Sequence, residues 1–485
     1  MSRLVVGPFN RVEGDLEVTL DISGGRVDRA YVDSTLYRGF EQILRGKDPM
    51  DALVFVPRIC GICSITQSVA AANALRNAMG ISIPRNGQLA TNLILANENL
   101  TDHFTHFYLF FMPDFARDGY SGRPWHGMVE QRFKAVTGTA AGDALPARAA
   151  FLHMMGVLAG KWPHTLTLQP GGSARAVSST EKIRLYAILR EFRAYLEKIM
   201  FGDKLENIVK LDSMRALEAW RDARPADASD FRLFLEVARD LELHRIGRAT
   251  DIFLSYGSYE MAGEYLFSPG VWDASKGTLS AIDPSDIVED LSHSRMTGEH
   301  DARHPYQGET QPAPDKPDAY TWCKAPRWRG QVLECGALAR QMVTGHPLIR
   351  DMVEKTGGNV TTRVVARLLE ISRVIPAMES WIKSLSPGEP FCVQGRMPDN
   401  AKGVGMVEAA RGALGHWLVV KEGKIANYQI VAPTTWNFSP RDRDGIPGAL
   451  EQALVGVPVG EHERVPLAVQ HVVRSFDPCM VCTVH

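Results

Sequence analysis

A surplus of either charge is absent from this sequence: 54 lysines and arginines stand against 56 aspartates and glutamates, a formal net charge of −2 over 485 residues. That balance provides no basic stripe for nucleic acid and no pull toward an anionic membrane. Long apolar runs are absent too. The most apolar stretch, Phe104 to Met112 (FTHFYLFFM), falls far short of the ~20 residues that cross a bilayer and contains a histidine. No direct membrane insertion is expected. The opening MSRLVVGPFNRVEG lacks the basic-then-apolar layout of a secretory signal. A cytoplasmic chain is therefore expected, with export only beside a signal-bearing partner. Internal repeats and low-complexity tracts are also missing.

Cysteine is scarce. Seven in 485 residues, an odd number, do not make a disulfide framework. Their placement is informative: Cys60 and Cys63 form one C-x-x-C pair, Cys323, Cys335 and Cys392 stand singly, and Cys479 and Cys482 form a second pair more than four hundred residues after the first. Such pairs point to metal or redox chemistry in a reducing compartment.

The remaining composition, 45% hydrophobic and 23% charged, is that of a soluble globular chain. Residues 15–21 and 26–32 flank Ser23-Gly24-Gly25 and predict a β-hairpin. A helix is predicted from Thr66 to Gly80, and another over 88–112 stopped by Pro113. Helical periodicity recurs at 180–200, 229–242 and 360–384, and the polar, proline-rich 296–320 reads as a long loop. Short strands fit 389–394, 404–408, 416–420 and 424–430, before a last helix near 466–476. The fold class is α+β, a mainly helical core with small β elements near both ends. One unit is expected, with a β-rich part over about 1–58, a helical core over about 59–385 and an α+β part over about 386–485.

Cys60-Gly61-Ile62-Cys63 lies immediately before a predicted helix, whose N-terminal amides and dipole favour thiolates. Four soft thiolates can hold zinc, iron–sulfur, copper(I) or nickel. Structural zinc is the commoner use of four cysteines, but zinc-ribbon pairs lie within ~15–20 residues of each other. A thioredoxin-like dithiol is the other plain reading, and neither pair sits in the βαβ setting it needs.

Arg58-Ile59-Cys60-Gly61-Ile62-Cys63 and Asp477-Pro478-Cys479-Met480-Val481-Cys482-Thr483-Val484-His485 resemble the two signature segments of [NiFe] hydrogenase large subunits. Further segments match in order: Arg11-Val12-Glu13-Gly14, Arg38-Gly39-Phe40-Glu41, Lys324-Ala325-Pro326-Arg327, Glu408 through Trp417, and Pro433-Thr434-Thr435-Trp436-Asn437. The resemblance runs from residue 11 to 485 and implies the large-subunit fold and a dihydrogen-activating centre. By it, Cys60 and Cys479 would be terminal nickel ligands, and Cys63 and Cys482 would bridge nickel to an iron carrying cyanide and carbonyl. Glu13 would take the proton from heterolytic splitting of dihydrogen. Arg411 would lie over the iron diatomics, oriented by Asp102 and Asp477, and Thr434 would donate to a cyanide. Glu41, His485 and the backbone carbonyl of Ile430 would hold a magnesium near the C-terminus. Cys323, Cys335 and Cys392 match no ligand position and are read as small core residues; His103 and His106 are read as satisfied core histidines.

Departures from the usual family pattern resemble the regulatory, hydrogen-sensing group. Position 67 is Gln where catalytic members have His; Gln can donate toward a bridging sulfur but cannot titrate. Ile62 and Phe110 replace the usual Val and Leu of the gas channel and would narrow it. The sequence stops at His485, where most large subunits are made with an extension that is later cut, so either a mature product or a gene without the extension is expected. The implied partners are an iron–sulfur small subunit, which would take the electrons, and a signalling histidine kinase. The alternatives are an energy-conserving uptake hydrogenase and a zinc-scaffolded interaction protein. The related quinone-binding subunit of respiratory complex I is disfavoured by the four cysteines.

Overall fold

A computed structural model describes residues 2–298 and 302–485. Three antiparallel strands begin it: β1 (Ser2–Val6), β2 (Leu16–Ser23) and β3 (Arg26–Ser34), paired in that order. Leu16, Val18 and Leu20 alternate inward along β2 as a half-buried strand requires. Gly24 and Gly25, at φ 58° and 71°, close the β2–β3 hairpin with the left-handed pair that matches strand twist.

Helix α1 (Ser64–Met79) follows the first cysteine pair and stops at Gly80. Helix α2 (Arg85–Thr105) does not run uniformly to Pro113: it passes into a π-helical turn over His106–Phe111. The 180–200 periodicity forms α3 (Ser179–Tyr195), again closed by a π-helical turn, and 229–242 forms α4 (Asp230–Asp240).

A sheet with no counterpart in the sequence reading then interrupts the expected helical core. β4 (Ile252–Met261) pairs with β5 (Glu264–Asp273), flanked by the short strands Thr278–Ser280 and Glu334–Cys335. β4 is buried over seven consecutive residues, Phe253 to Ser258 and Tyr259, so it lacks the polar–apolar alternation that marks a half-exposed strand. Helix α5 (Val360–Ser384) matches its periodicity.

The C-terminal part carries β6 (Ala401–Ala409), β7 (Gly412–Lys421) and β8 (Lys424–Val431) as one antiparallel sheet, and helix α6 (Leu467–Ser475). The strand expected at 389–394 does not form; only Cys392 makes a bridge, to Gly172. Pro390 in that segment has no N–H to give a ladder. In the 296–320 segment, residues 299–301 lie outside the described residues, and the rest holds isolated bridges and a 3-10 turn at Pro305–Gln307. No helix among the described residues is long and apolar enough to cross a membrane.

What sets the site is the approach of α1 to the edge strand β6. Asn77 Oδ1 accepts from the Val404 amide at 3.0 Å and Asn73 Nδ2 donates to the Met406 carbonyl at 3.2 Å, so helix side chains satisfy the strand edge. Gly403 and Gly405 let the backbones meet: a Cβ would lie 2.1 Å from Ala74 O at the first and 2.0 Å from Ala70 O at the second. A Gly405→Ala variant must push α1 off the sheet. Overpacking of this kind costs about 1–3 kcal/mol, so the urea midpoint should fall with the slope unchanged. An unchanged midpoint would mean the contact is not tight.

Candidate metal centre

Cys60 ends a 3-10 turn in extended backbone (φ −150°, ψ 136°), and Cys63 is the residue from which α1 starts. At the other end of the chain α6 gives way to Asp477, whose left-handed φ of 58° reverses the backbone. Cys479 then precedes a helical turn, Met480–Thr483. The two loops are tied together. The Met480 amide donates to Glu13 O at 2.7 Å, and Arg38 Nη2 donates to both Ile59 O (2.6 Å) and Val481 O (2.5 Å).

The four sulfurs meet as a result, all within 4.8 Å of one another and all buried. Cys60 Sγ lies 3.5 Å from Cys479 Sγ, and Cys482 Sγ lies 3.1 Å from both Cys63 and Cys479. All seven cysteines are free thiols. Cys479 is held well below the usual thiol range: burial opposes this, but hydrogen bonds from Cys482, Cys60 and Cys63 and the Arg411 charge outweigh it.

Arg411 sits in the two-residue turn between β6 and β7. Its guanidinium donates to the Asp102 carboxylate, to Asp477 O at 2.8 Å and to Asp477 Oδ1 at 3.2 Å. Burial drives Asp102 upward against the pull of Arg411, while Asp477, also opposed by burial, is held low by Arg411. Thr434 Oγ1 accepts from the Cys479 amide at 3.2 Å, which leaves its own O–H free to donate. Glu13 is half-buried at the rim; burial raises its pKa, the Cys60 thiolate adds to that, and Arg411 and Arg38 oppose it.

Three arrangements differ from the sequence reading or were missed by it. The Ile65 and Thr66 amides, expected to favour a thiolate, donate instead to Glu98 at 2.9 and 3.0 Å. Gln67 presents its carboxamide oxygen to His416 Nε2 at 2.9 Å, and His416 Nδ1 lies 2.8 Å from the Tyr428 hydroxyl. The Gln67 carboxamide is thereby fixed in orientation by a chain that starts on β8. Lys324 is the third. Its ammonium lies 3.1 Å from Glu41 Oε2, 2.8 Å from Gln429 Oε1, 3.0 Å from Thr310 Oγ1 and 3.5 Å from Glu289.

Glu41 and His485 do come together, with Oε1 and Nε2 3.2 Å apart. Ile430 gives Glu41 its amide N–H at 2.8 Å. The Glu41 carboxyl is held down at about 2, burial being outweighed by Lys324, His485 and Thr310. This oxygen-rich cluster suits a hard cation only in part, because the Lys324 ammonium already answers the two carboxylates. His103 bonds to Glu370 at 3.2 Å and His106 to Arg474 O at 2.7 Å, both inside the core. Cys323 and Cys335 are buried and Cys392 is half-buried. Ile62 and Phe110 are half-buried, the latter on the π-helical turn after α2.

Four soft donors, an adjacent guanidinium and a half-buried acid define a thiolate centre for a redox-active transition metal, on a mixed α+β scaffold. A family model described as nickel-dependent hydrogenase matches residues 38–117 and 142–485, and the chain belongs to that family. The periplasmic [NiFeSe] hydrogenase large subunit of Desulfomicrobium baculatum is 31% identical, across 100% of this chain and 95% of its own length. The hydrogenase-2 large chain of Escherichia coli (strain K12) is 28% identical, across 100% and 97%. The solved Ni-Fe-Se hydrogenase from D. vulgaris Hildenborough in the reduced state superposes with a TM-score of 0.85 at 31% identity, covering 100% of both chains. This chain is thus a hydrogenase large subunit, an oxidoreductase with a nickel–iron centre, and the four-cysteine cluster is the group among the described residues suited to hold it.

Proposed function

We propose that this subunit splits dihydrogen heterolytically at a nickel–iron centre held by Cys60, Cys63, Cys479 and Cys482, and passes the electrons to an iron–sulfur small subunit. The convergence of four buried thiols from opposite ends of the chain carries the reading. When bound, the bimetallic group supplies the redox chemistry and the Lewis acidity, which its electron-rich thiolates and its cyanide and carbonyl ligands tune.

The chain's own residues do the rest. Glu13, raised by burial and stitched to the Cys479 loop through its backbone, takes the released proton toward the surface. Arg411 cannot give up its proton and offsets the thiolate charge, with Asp102 and Asp477 fixing its plane. Thr434 has a free hydroxyl proton for an acceptor in the pocket, and Gln67, anchored by His416, has its amide group left to donate. Electrons leave through the partner, since the described residues supply no second cluster of cysteines.

The reading extends to a hydrogen sensor that acts through a signalling histidine kinase in the cytoplasm, supported by Gln67, Ile62 and Phe110. An uptake hydrogenase is the competing role. A magnesium at Glu41, the Ile430 carbonyl and His485 belongs to the same proposal. The cavity that Glu41, Ile430 and His485 line holds about 10 Å³ and has Lys324 in its wall, so the ion enters only as the ammonium withdraws.

Glu13→Gln should retain nickel and iron yet slow deuterium–hydrogen exchange on the order of 10²–10⁴-fold, because the shape is kept and the titrating group is lost. Exchange at the wild-type rate would assign the proton to another exit. For the sensor role, Ile62→Val with Phe110→Leu should preserve activity under dihydrogen and speed its loss in air, since packing at native density makes one methylene decide what passes. Equal rates of loss would favour the uptake enzyme.

A further inference from the structure

The carboxylate that holds Arg411 has a companion one helical turn earlier. Glu98 and Asp102 stand four residues apart on α2 and share a face. Glu98 is 2% exposed, and five donors converge on its two oxygens. They are the amides of Ile65 (2.9 Å) and Thr66 (3.0 Å), the hydroxyls of Thr66 (3.2 Å) and Ser64 (3.4 Å), and the Trp162 indole N–H (2.9 Å). Three of these are N–H groups that can only donate, and between them they occupy both oxygens. A carboxylate meets all of them, whereas a carboxylic acid would set its own proton against one. Burial opposes these bonds and pushes Glu98 up to about 7, so the full set is met above that pH.

The Ile65 and Thr66 amides are not arbitrary partners. They are the second and third residues of α1, where the helix leaves its amide groups unpaired and concentrates its positive end. A capping side chain normally comes from the residue just before the helix. Here that residue is Cys63, which makes no capping bond; its sulfur lies 3.1 Å from Cys482. Without Glu98, both amides would lack an acceptor at the helix start that Cys63 heads, a setting in which a neighbouring sulfur can take up such bonds. Such bonds withdraw electron density from sulfur.

We propose that Glu98 is a positioning residue for the metal centre: it caps α1 in place of Cys63, which leaves the Cys63 sulfur free for its metals and cancels the positive helix end behind it. The inference rests on Cys63 being a ligand, as proposed above. Glu98 is not one of the four clustered ligands and acts on them through α1. One helix then sets two charges at the site, since Asp102 anchors the cation on one side and Glu98 neutralises the helix end on the other.

The test is infrared spectroscopy of the purified two-subunit enzyme. Glu98→Gln keeps the shape and loses the charge, so at a pH well above 7, where Glu98 is ionised, the metal-bound carbonyl and cyanide bands should shift to higher wavenumber. Glu98→Asp should bring them back toward wild type, and Trp162→Phe, which removes a donor without altering charge, should leave them in place. Bands unmoved in both Glu98→Gln and Glu98→Ala would overturn the capping role while leaving the cysteine assignment intact. Absence of such bands in the wild type would instead remove the assignment on which the role rests. If the variants do not take up metal, hydrogen exchange of the metal-free full chain decides: the Ile65 and Thr66 amides should exchange at least several-fold faster in Glu98→Ala, and unchanged protection would overturn the proposal.

Discussion

Four buried sulfur atoms confined within 4.8 Å of one another are the constraint on which the other features of this molecule bear. Thiolates so crowded repel one another and lose their hydration, so burial and mutual contact push Cys63 and Cys482 upward, and keeping all four ionised needs metal and fixed positive charge. Arg411 is a fixed cation whose charge acts on Cys479 and Cys63. It is itself buried, and a buried guanidinium must have its own partners, so Asp102 and Asp477 flank it. The acids therefore do more than orient a side chain. They let a cation stay charged beside sulfur.

The scaffold is organised to hold these charges still. α1 is pressed onto β6 through Gly403 and Gly405, so the start of the helix, where Cys63 sits, keeps a fixed relation to the turn that carries Arg411. α2 runs behind both and contributes Glu98 and Asp102 from one face. Arg38 joins the two cysteine loops at their backbones, and the final residues dock through His485 on Glu41. Close packing of glycine against backbone, together with the buried apolar face of α1, fixes the helix against the sheet.

The cysteines, Glu13, Arg411, Thr434 and Asp477 could be picked out because they lie in ordered motifs, while Asp102 lies in none of the quoted segments. The fold brings Asp102 and Asp477 to Arg411 and Thr434 to Cys479. Six helices were legible from their period and stops, whereas Ala140–Ala159, Ala337–Thr344 and Pro347–Thr356 were not read. What escaped had physical reasons. β4 is buried on both faces, so no alternation reveals it. Glu98 lies in Asn97-Glu98-Asn99, a polar run that resembles a solvated helix face until the fold buries all three residues. The assumption that the α1 dipole serves the thiolates failed for the same reason: an acceptor more than thirty residues away in sequence reaches the amides first. His416 and Lys324 were visible inside matched segments, but their partners, Gln67 and Tyr428 for one and Glu41, Glu289 and Gln429 for the other, come from other helices and strands of the fold. The strand expected at 389–394 was lost to Pro390, whose missing N–H outweighs the apolar character of its neighbours.

The account stands on what the four cysteines hold. Metal analysis of the purified protein, joined to its infrared spectrum, addresses that directly. Nickel and iron should be present in about equal amounts, with bands from metal-bound cyanide and carbonyl, and both metals should be lost on Cys63→Ser. Stoichiometric zinc with no such bands would contradict it, and would leave the chain as a zinc-held scaffold on a hydrogenase fold.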